Sequence, residues 1–164
     1  MSIQTPTWER GAERQMGHVY ASITIRNRLD EGLFELGQIT EDQIRSVTLN
    51  RALVDTGATM LCLPASTIAA LGLAFLKELP VRTAVGTRTR RVFQDAKLTV
   101  EGRTSTFDCL ELPDDAQPLL GVLPLENLGM EPDIVNHCLR LLPEEPGGET
   151  HYLLLGPMLT IDDE

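Results

Sequence analysis

A mostly β domain with one or two short helices is the fold class this sequence predicts, and three observations carry it. Short runs alternate apolar and polar residues, as a half-buried strand requires. Glycine-containing turns separate those runs. Only two short stretches, each closed by a glycine, carry the helix-forming residues and stop signal of a helix. The chain has 164 residues, the size of one domain with room for a real core. Aromatics make up only 4% of it, so that core is built from Leu, Val, Ile and Ala.

Residues 1–16 are polar, mix charges and show no period, and are expected to form a flexible lead-in. Residues 18–28 alternate, with Val19, Ala21, Ile23 and Ile25 on one side, and read as a strand. A turn at Leu29, Asp30, Glu31 and Gly32 is expected next, and then a second strand from Ile44 that leads into Val54 and Asp55. After Pro64, a Ser or Thr cap position, alanines and the stop at Gly72 predict a short helix. Residues 80–94 alternate on both sides of Gly86 and predict a hairpin. Residues 96–100 and 104–112, joined through Glu101, Gly102 and Arg103, predict another. Leu119 and Leu120 form a short apolar strand end, and residues 122–129 read as a helix closed by Gly129. Residues 138–142 and 151–155 are expected to pair as a last hairpin.

Charge and composition remove several function classes. The net charge of −10 argues against a nucleic-acid surface, which needs a basic footprint. The one basic cluster, Arg82, Arg88, Arg90 and Arg91, reads as a solvated hairpin face. Cys62, Cys109 and Cys138 are far apart and odd in number, which suits buried small hydrophobes in a reducing compartment rather than a metal site. The start of the chain has no apolar h-region and no stretch approaches a membrane span, so a cytoplasmic protein without membrane contact is expected. His18, His137 and His151 are scattered and match no hydrolase motif. Neither a metal nor another cofactor is expected.

The informative segment runs from Ala52 through Leu53 and Val54 to Asp55, Thr56, Gly57 and Ala58, where an apolar strand delivers a carboxylate into a turn of small residues. Leaving a charge beside a hydrophobic strand costs several kcal/mol unless it is paired, so such a residue invites a functional explanation. By itself the tripeptide is also an ordinary Asx-type turn.

In this setting Asp55-Thr56-Gly57-Ala58 resembles the active-site motif of retropepsins, the retroviral-type aspartic proteases and their bacterial relatives. Leu119-Leu120-Gly121 before a helix resembles the apolar-apolar-Gly segment of the same family, and the Gly86 hairpin lies where that family carries its flap. The resemblance covers roughly residues 18–143. It implies a closed β-barrel of the acid-protease type over residues 17–143, with an active site formed at the two-fold axis of a homodimer. Residues 144–164 would be a C-terminal extension with an extra strand.

The same resemblance makes Asp55 the catalytic carboxylate of an aspartic endopeptidase acting on peptide or protein substrates. It gives Thr56 a bridge to its twin and Gly57 and Ala58 a place in the substrate-binding loop. Val85 and Gly86 would form the flap tip, and Leu119, Leu120 and Gly121 would support the loop from behind. Three features depart from the family: the flap tip has the apolar Val85 before Gly86, Thr59 and Met60 stand where viral enzymes have acidic residues, and the tail beyond Pro143 is longer than the short terminal strand by which viral enzymes interleave into a dimer. Asp95, Asp108, Asp114, Asp115 and Asp133 read as solvated carboxylates. Two alternatives remain: a catalytically weak module of the same fold used for dimerisation or peptide binding, and an unrelated small β-barrel interaction domain.

Overall fold

The computed structural model describes residues 17–142. The alternation read in the sequence becomes a closed barrel. Strand β1 (Val19–Asn27) turns Val19, Ala21, Ile23 and Ile25 inward and pairs antiparallel with β2 (Ser46–Val54). Beyond a short loop lie β3 (Leu61–Pro64) and helix α2, so numbered because a helix α1 (Arg28–Glu35) precedes it; α2 spans Ala65–Leu71. β4 (Ala74–Thr83) and β5 (Gly86–Val100) form one long hairpin, and β6 (Arg103–Leu112) returns beside β5. β7 (Leu119–Leu120), α3 (Val122–Leu128), β8 (Met130–Asp133) and β9 (Cys138–Leu141) complete the described chain.

The main sheet runs β1-β2-β7-β3-β6-β5-β4, and an added β1–β5 pairing closes the first six strands. β5 serves two partners because it bends: its first part pairs with β4 and Ala96–Thr99 pair with β1. The bend is a bulge between Phe93 and Ala96, where Asp95 takes a φ of 64°. Fully buried Ile23, Ile25, Leu61, Leu63, Leu98, Leu120 and Leu128 fill the barrel, each contributing about 1.5–3 kcal/mol. β3 is buried on both faces. Leu61 and Leu63 enter the main core, while Cys62 joins Val92 and Leu110 in a second cluster beneath the β4–β5 hairpin.

Both expected helices form, and glycine ends each in the left-handed region, Gly72 at φ 61° and Gly129 at φ 64°. α2 lacks the Ser or Thr cap expected of it; Pro64 is the N-cap, and the Ser66 N–H instead donates to Asp114 Oδ1 at 2.7 Å, so Asp114 is a partner rather than a free surface acid. The hairpin expected at residues 80–94 is longer, because β4 already starts at Ala74. The β5–β6 turn lies where it was expected, with Glu101 at φ 49° and Gly102 at φ 77°.

Three readings are corrected. The expected turn at residues 29–32 is helix α1, capped by Asn27, whose side chain accepts from Asp30 N and donates to Leu71 O at 2.8 Å. β9 pairs antiparallel with β8, a strand the sequence reading did not contain; residues 151–155, its expected partner, lie outside the described residues. Cys138 is exposed at the start of β9, whereas Cys62 and Cys109 are buried as expected.

Candidate active site

The site exists because β7 wedges between two strands that are neighbours in sequence. β2 and β3 flank the Asp55 loop, yet they do not pair with each other. Leu53 and Val54 of β2 run parallel to Leu119 and Leu120, and Leu61 and Cys62 of β3 run antiparallel to the same two residues. The loop 55–60 must therefore cross the end of β7. Leu53 N–H donates to Pro118 O at 2.9 Å and Asp55 N–H to Leu120 O at 3.1 Å, which fixes the backbone on which the carboxylate sits.

Gly121 shows how tight that crossing is. A β-carbon there would lie 2.4 Å from Met60 O, 2.7 Å from Ala58 O and 2.8 Å from Met60 N. Gly121 has an ordinary extended φ of −86°, so close approach, not backbone freedom, demands the glycine. Immediately after it the first N–H groups of α3 need acceptors. Val122 N–H donates to Ala58 O and Leu123 N–H to Thr59 O, each at 2.9 Å. Helix and loop thus satisfy each other, and the loop is held along most of its length.

Asp55 is half-buried, and its Oδ1 accepts the Gly57 N–H at 2.8 Å. Its carbonyl accepts from Ala58 N–H at 3.1 Å, closing the turn. Among the described residues no other group donates to the carboxylate, so Oδ2 is unpaired. Thr56 is exposed, and its hydroxyl makes no hydrogen bond among the described residues. Gly57 is exposed and Ala58 is half-buried; a β-carbon on Gly57 would stand 3.0 Å from Asp55 Oδ1.

The carboxylate opens into a cavity of about 540 Å³ between the loop and the β4–β5 hairpin. Met60, Cys62, Leu79, Val81, Leu110, Leu112 and Leu119 give it an apolar lining. Among the described residues Asp55 is the one carboxylate on its wall and Arg82 the one cation. Burial, and secondarily the charge of Asp55, pushes the Cys62 thiol up to about 11, so near neutral pH it is an uncharged part of the wall. Among the described residues no cluster of three His, Cys, Asp or Glu is arranged to hold a metal. A carboxylate with one free oxygen beside an apolar cleft can take a proton from water or give one to a bound carbonyl, but one group does only one of these at a time.

The structure gathers Asp55, Thr56, Gly57, Ala58 and Gly121 at one spot. Leu120 is fully buried behind the loop, whereas Leu119, expected only as support, lines the cavity. Val85 and Gly86 occupy the hairpin tip but do not line the cavity; Val85 is 81% exposed. As wall residues Cys62, Leu79, Val81, Leu110 and Leu112 escaped the sequence reading, which places Met60 beside the motif. Leu79 and Val81, like Leu110 and Leu112, sit two apart on one strand face, a signal visible in the sequence that gives no hint of which face meets Asp55.

Residues 41–127, more than half of the chain, match the family described as gag-polyprotein putative aspartyl protease. No curated protein matches the chain. The matched span holds the Asp55 loop, the hairpin, β7 and nearly all of α3. No helix of the described residues is long and apolar enough to cross a membrane. With its mostly β barrel, its Asp55 loop braced on β7 and that match, the chain belongs to the retropepsin-like aspartic protease family.

Proposed function

We propose that the protein is an aspartic endopeptidase in which Asp55 of two copies forms the catalytic pair at a homodimer two-fold axis. The observation that carries this reading is the carboxylate of Asp55, the single one that the described residues bring to the cavity, fixed by Gly57 through one oxygen and without a described partner on the other. Peptide hydrolysis by water needs a base for the water and an acid for the carbonyl oxygen or leaving amine. Two carboxylates about 3 Å apart share one proton and supply both roles, as in aspartic proteases generally. The sequence contains Asp-Thr-Gly once, so the second carboxylate comes from a second copy. The exposed Thr56 and Gly57 support such a meeting, since nothing described covers them.

Water would be activated between the two Asp55 side chains while the substrate lies extended across both subunits. The β4–β5 hairpin, with Val85 and Gly86 at its tip, would act as a flap that closes over the peptide and excludes bulk water. The acid and base roles belong to the pair and not to one subunit.

Activity per subunit then falls on dilution, in step with the loss of dimer seen by sedimentation. Mixing wild-type protein with a large excess of Asp55→Asn protein suppresses the remaining activity by forming mixed dimers. Full activity in a proven monomer, or no suppression on mixing, would overturn the shared-site reading.

A further inference from the structure

The cleft carries a second charged feature besides Asp55, on the β4–β5 hairpin. Register places Arg88 opposite Val81 and Arg90 opposite Leu79 across the β4–β5 hairpin. Directly opposed residues of an antiparallel pair project from the same face. Arg88 and Arg90 therefore share the face whose Leu79 and Val81 line the cavity, and Arg90 is half-buried there. Arg82 lines the cavity itself.

Among the described residues Arg82, Arg88 and Arg90 form no ion pair and no side-chain hydrogen bond. Their neighbour Arg91, on the opposite face, is held by Glu111 through bonds of 3.0 and 2.7 Å. In a chain of net charge −10, three guanidiniums left without an acid beside one cleft form a local reversal of sign. The floor below them, Cys62, Leu110, Leu112 and Leu119, is aliphatic or small.

We infer that Arg88 and Arg90, with Arg82, are specificity-determining residues that select peptides carrying Asp or Glu near a large aliphatic side chain. The aliphatic group fills the cavity, and the acidic group meets the hairpin guanidiniums, away from Asp55, whose own charge disfavours an acid at the scissile bond. A single-stranded nucleic acid fits less well, since among the described residues no aromatic side chain lines the cavity to stack a base and the net negative charge of the chain repels phosphate. The inference rests on the peptidase reading for its setting, but binding tests it without catalysis.

The probes are three end-blocked peptides with the same Leu-Leu centre and Glu, Gln or Lys at the flanking positions. With full-length wild-type protein, kcat/KM should rank Glu above Gln above Lys, and each arginine replaced should reduce the Glu-to-Lys ratio by roughly three- to tenfold. High salt should shrink the same ratio. Arg88→Glu with Arg90→Glu should invert the ranking in favour of the Lys peptide, a gain that misfolding does not produce.

Equal kcat/KM for the Glu and Lys peptides with wild-type protein, or an undiminished Glu preference in Arg88→Gln with Arg90→Gln, would overturn the selectivity. If no peptide is cut, the peptidase reading fails separately; binding of the same peptides to Asp55→Asn protein, followed by fluorescence anisotropy, then decides the inference, and equal binding of Glu and Lys peptides overturns it. A single-stranded oligonucleotide that displaces the Glu peptide at equal concentration would also overturn it, as the mark of a general polyanion site.

Discussion

Two aspartates just beyond strand ends have opposite surroundings. Asp30, three residues past β1, is 5% exposed and held through both oxygens: Arg45 donates to it from its backbone N–H at 3.0 Å, from Nε at 2.8 Å and from Nη2 at 2.9 Å. The hydrogen bonds of the Arg45 side chain, aided by its backbone N–H and its charge, hold the Asp30 carboxyl below the usual carboxylate range despite the opposing effect of burial. Asp55, directly past β2, has one donor among the described residues and lines a cavity. A buried carboxylate with both oxygens engaged is part of the structure, whereas one held by a single bond retains capacity for a substrate.

Exchanging each acid for its amide separates the two roles. Asp55→Asn keeps the shape and the bond from Gly57 but cannot share a proton, so peptide turnover should fall at least about a thousandfold. Its thermal unfolding should stay within roughly 0.5 kcal/mol of wild type. Turnover near the wild-type level would remove Asp55 from the chemistry and erase the contrast.

Gly121→Ala attacks the brace instead of the carboxylate. The new methyl would sit inside contact distance of three backbone atoms, and backbone, unlike a flexible side chain, cannot swing away. About 2–3 kcal/mol of stability should be lost, with most of the activity, as the loop 55–60 is pushed off β7. Calorimetry and turnover on the same preparation check this. A stable variant with low activity would show that the loop yields locally, and an active one that the crossing accommodates a methyl group.

Asp30→Ala should lower stability by about 2 kcal/mol, moderated because half of the Arg45 side chain already meets water, and should leave turnover per folded molecule intact. The pH dependence has a definite sign. Since the folded pKa of Asp30 lies below its ordinary value of 3.8, its contribution is fully present above that value and fades as pH falls through the lower, folded one. Unfolding followed from pH 7 into acid should show a shallower decline for Asp30→Ala than for wild type in that acidic window. Parallel curves would mean that the Arg45 contact is as strong in the unfolded chain.

The same contrast separates what the sequence disclosed from what it hid. β1, the two hairpins, α2 and α3 were legible because alternation and glycine stops are local signals. Asp55, Thr56, Gly57 and Gly121 were legible because their types and order carry the family pattern. α1 was not. Its Asp30 and Glu31 are turned inward onto Arg45, Lys97 and Arg26, while Leu29, Leu33, Phe34 and Leu36 face outward, the reverse of an amphipathic helix. β7 as the wedge between β2 and β3 was also hidden, because two residues carry no period and both partners are distant in sequence. β8 was missed for a similar reason, being four residues with a proline among them.

The smallest expected effect comes from the other glycine of the proposed site. Gly86 has a φ of 117°, where an L side chain is strained, but nothing lies within 4 Å of a β-carbon built there. Gly86→Ala therefore carries backbone strain of about 1 kcal/mol and no packing penalty, the converse of Gly121. The tip also buries little, with Ala84, Val85 and Gly86 all exposed and its extra tie a Thr83 hydroxyl donating to Gly86 O at 2.7 Å. Strain placed there is relieved by opening the end of the hairpin without unfolding the barrel. Hydrogen exchange should thus speed up over residues 81–90 while the midpoint of thermal unfolding moves by no more than about 2–4 °C. A fall in the midpoint as large as that of Gly121→Ala, with exchange at the tip unchanged, would show that the tip is packed into the cooperative core, and the distinction between a braced loop and a free hairpin end would be lost.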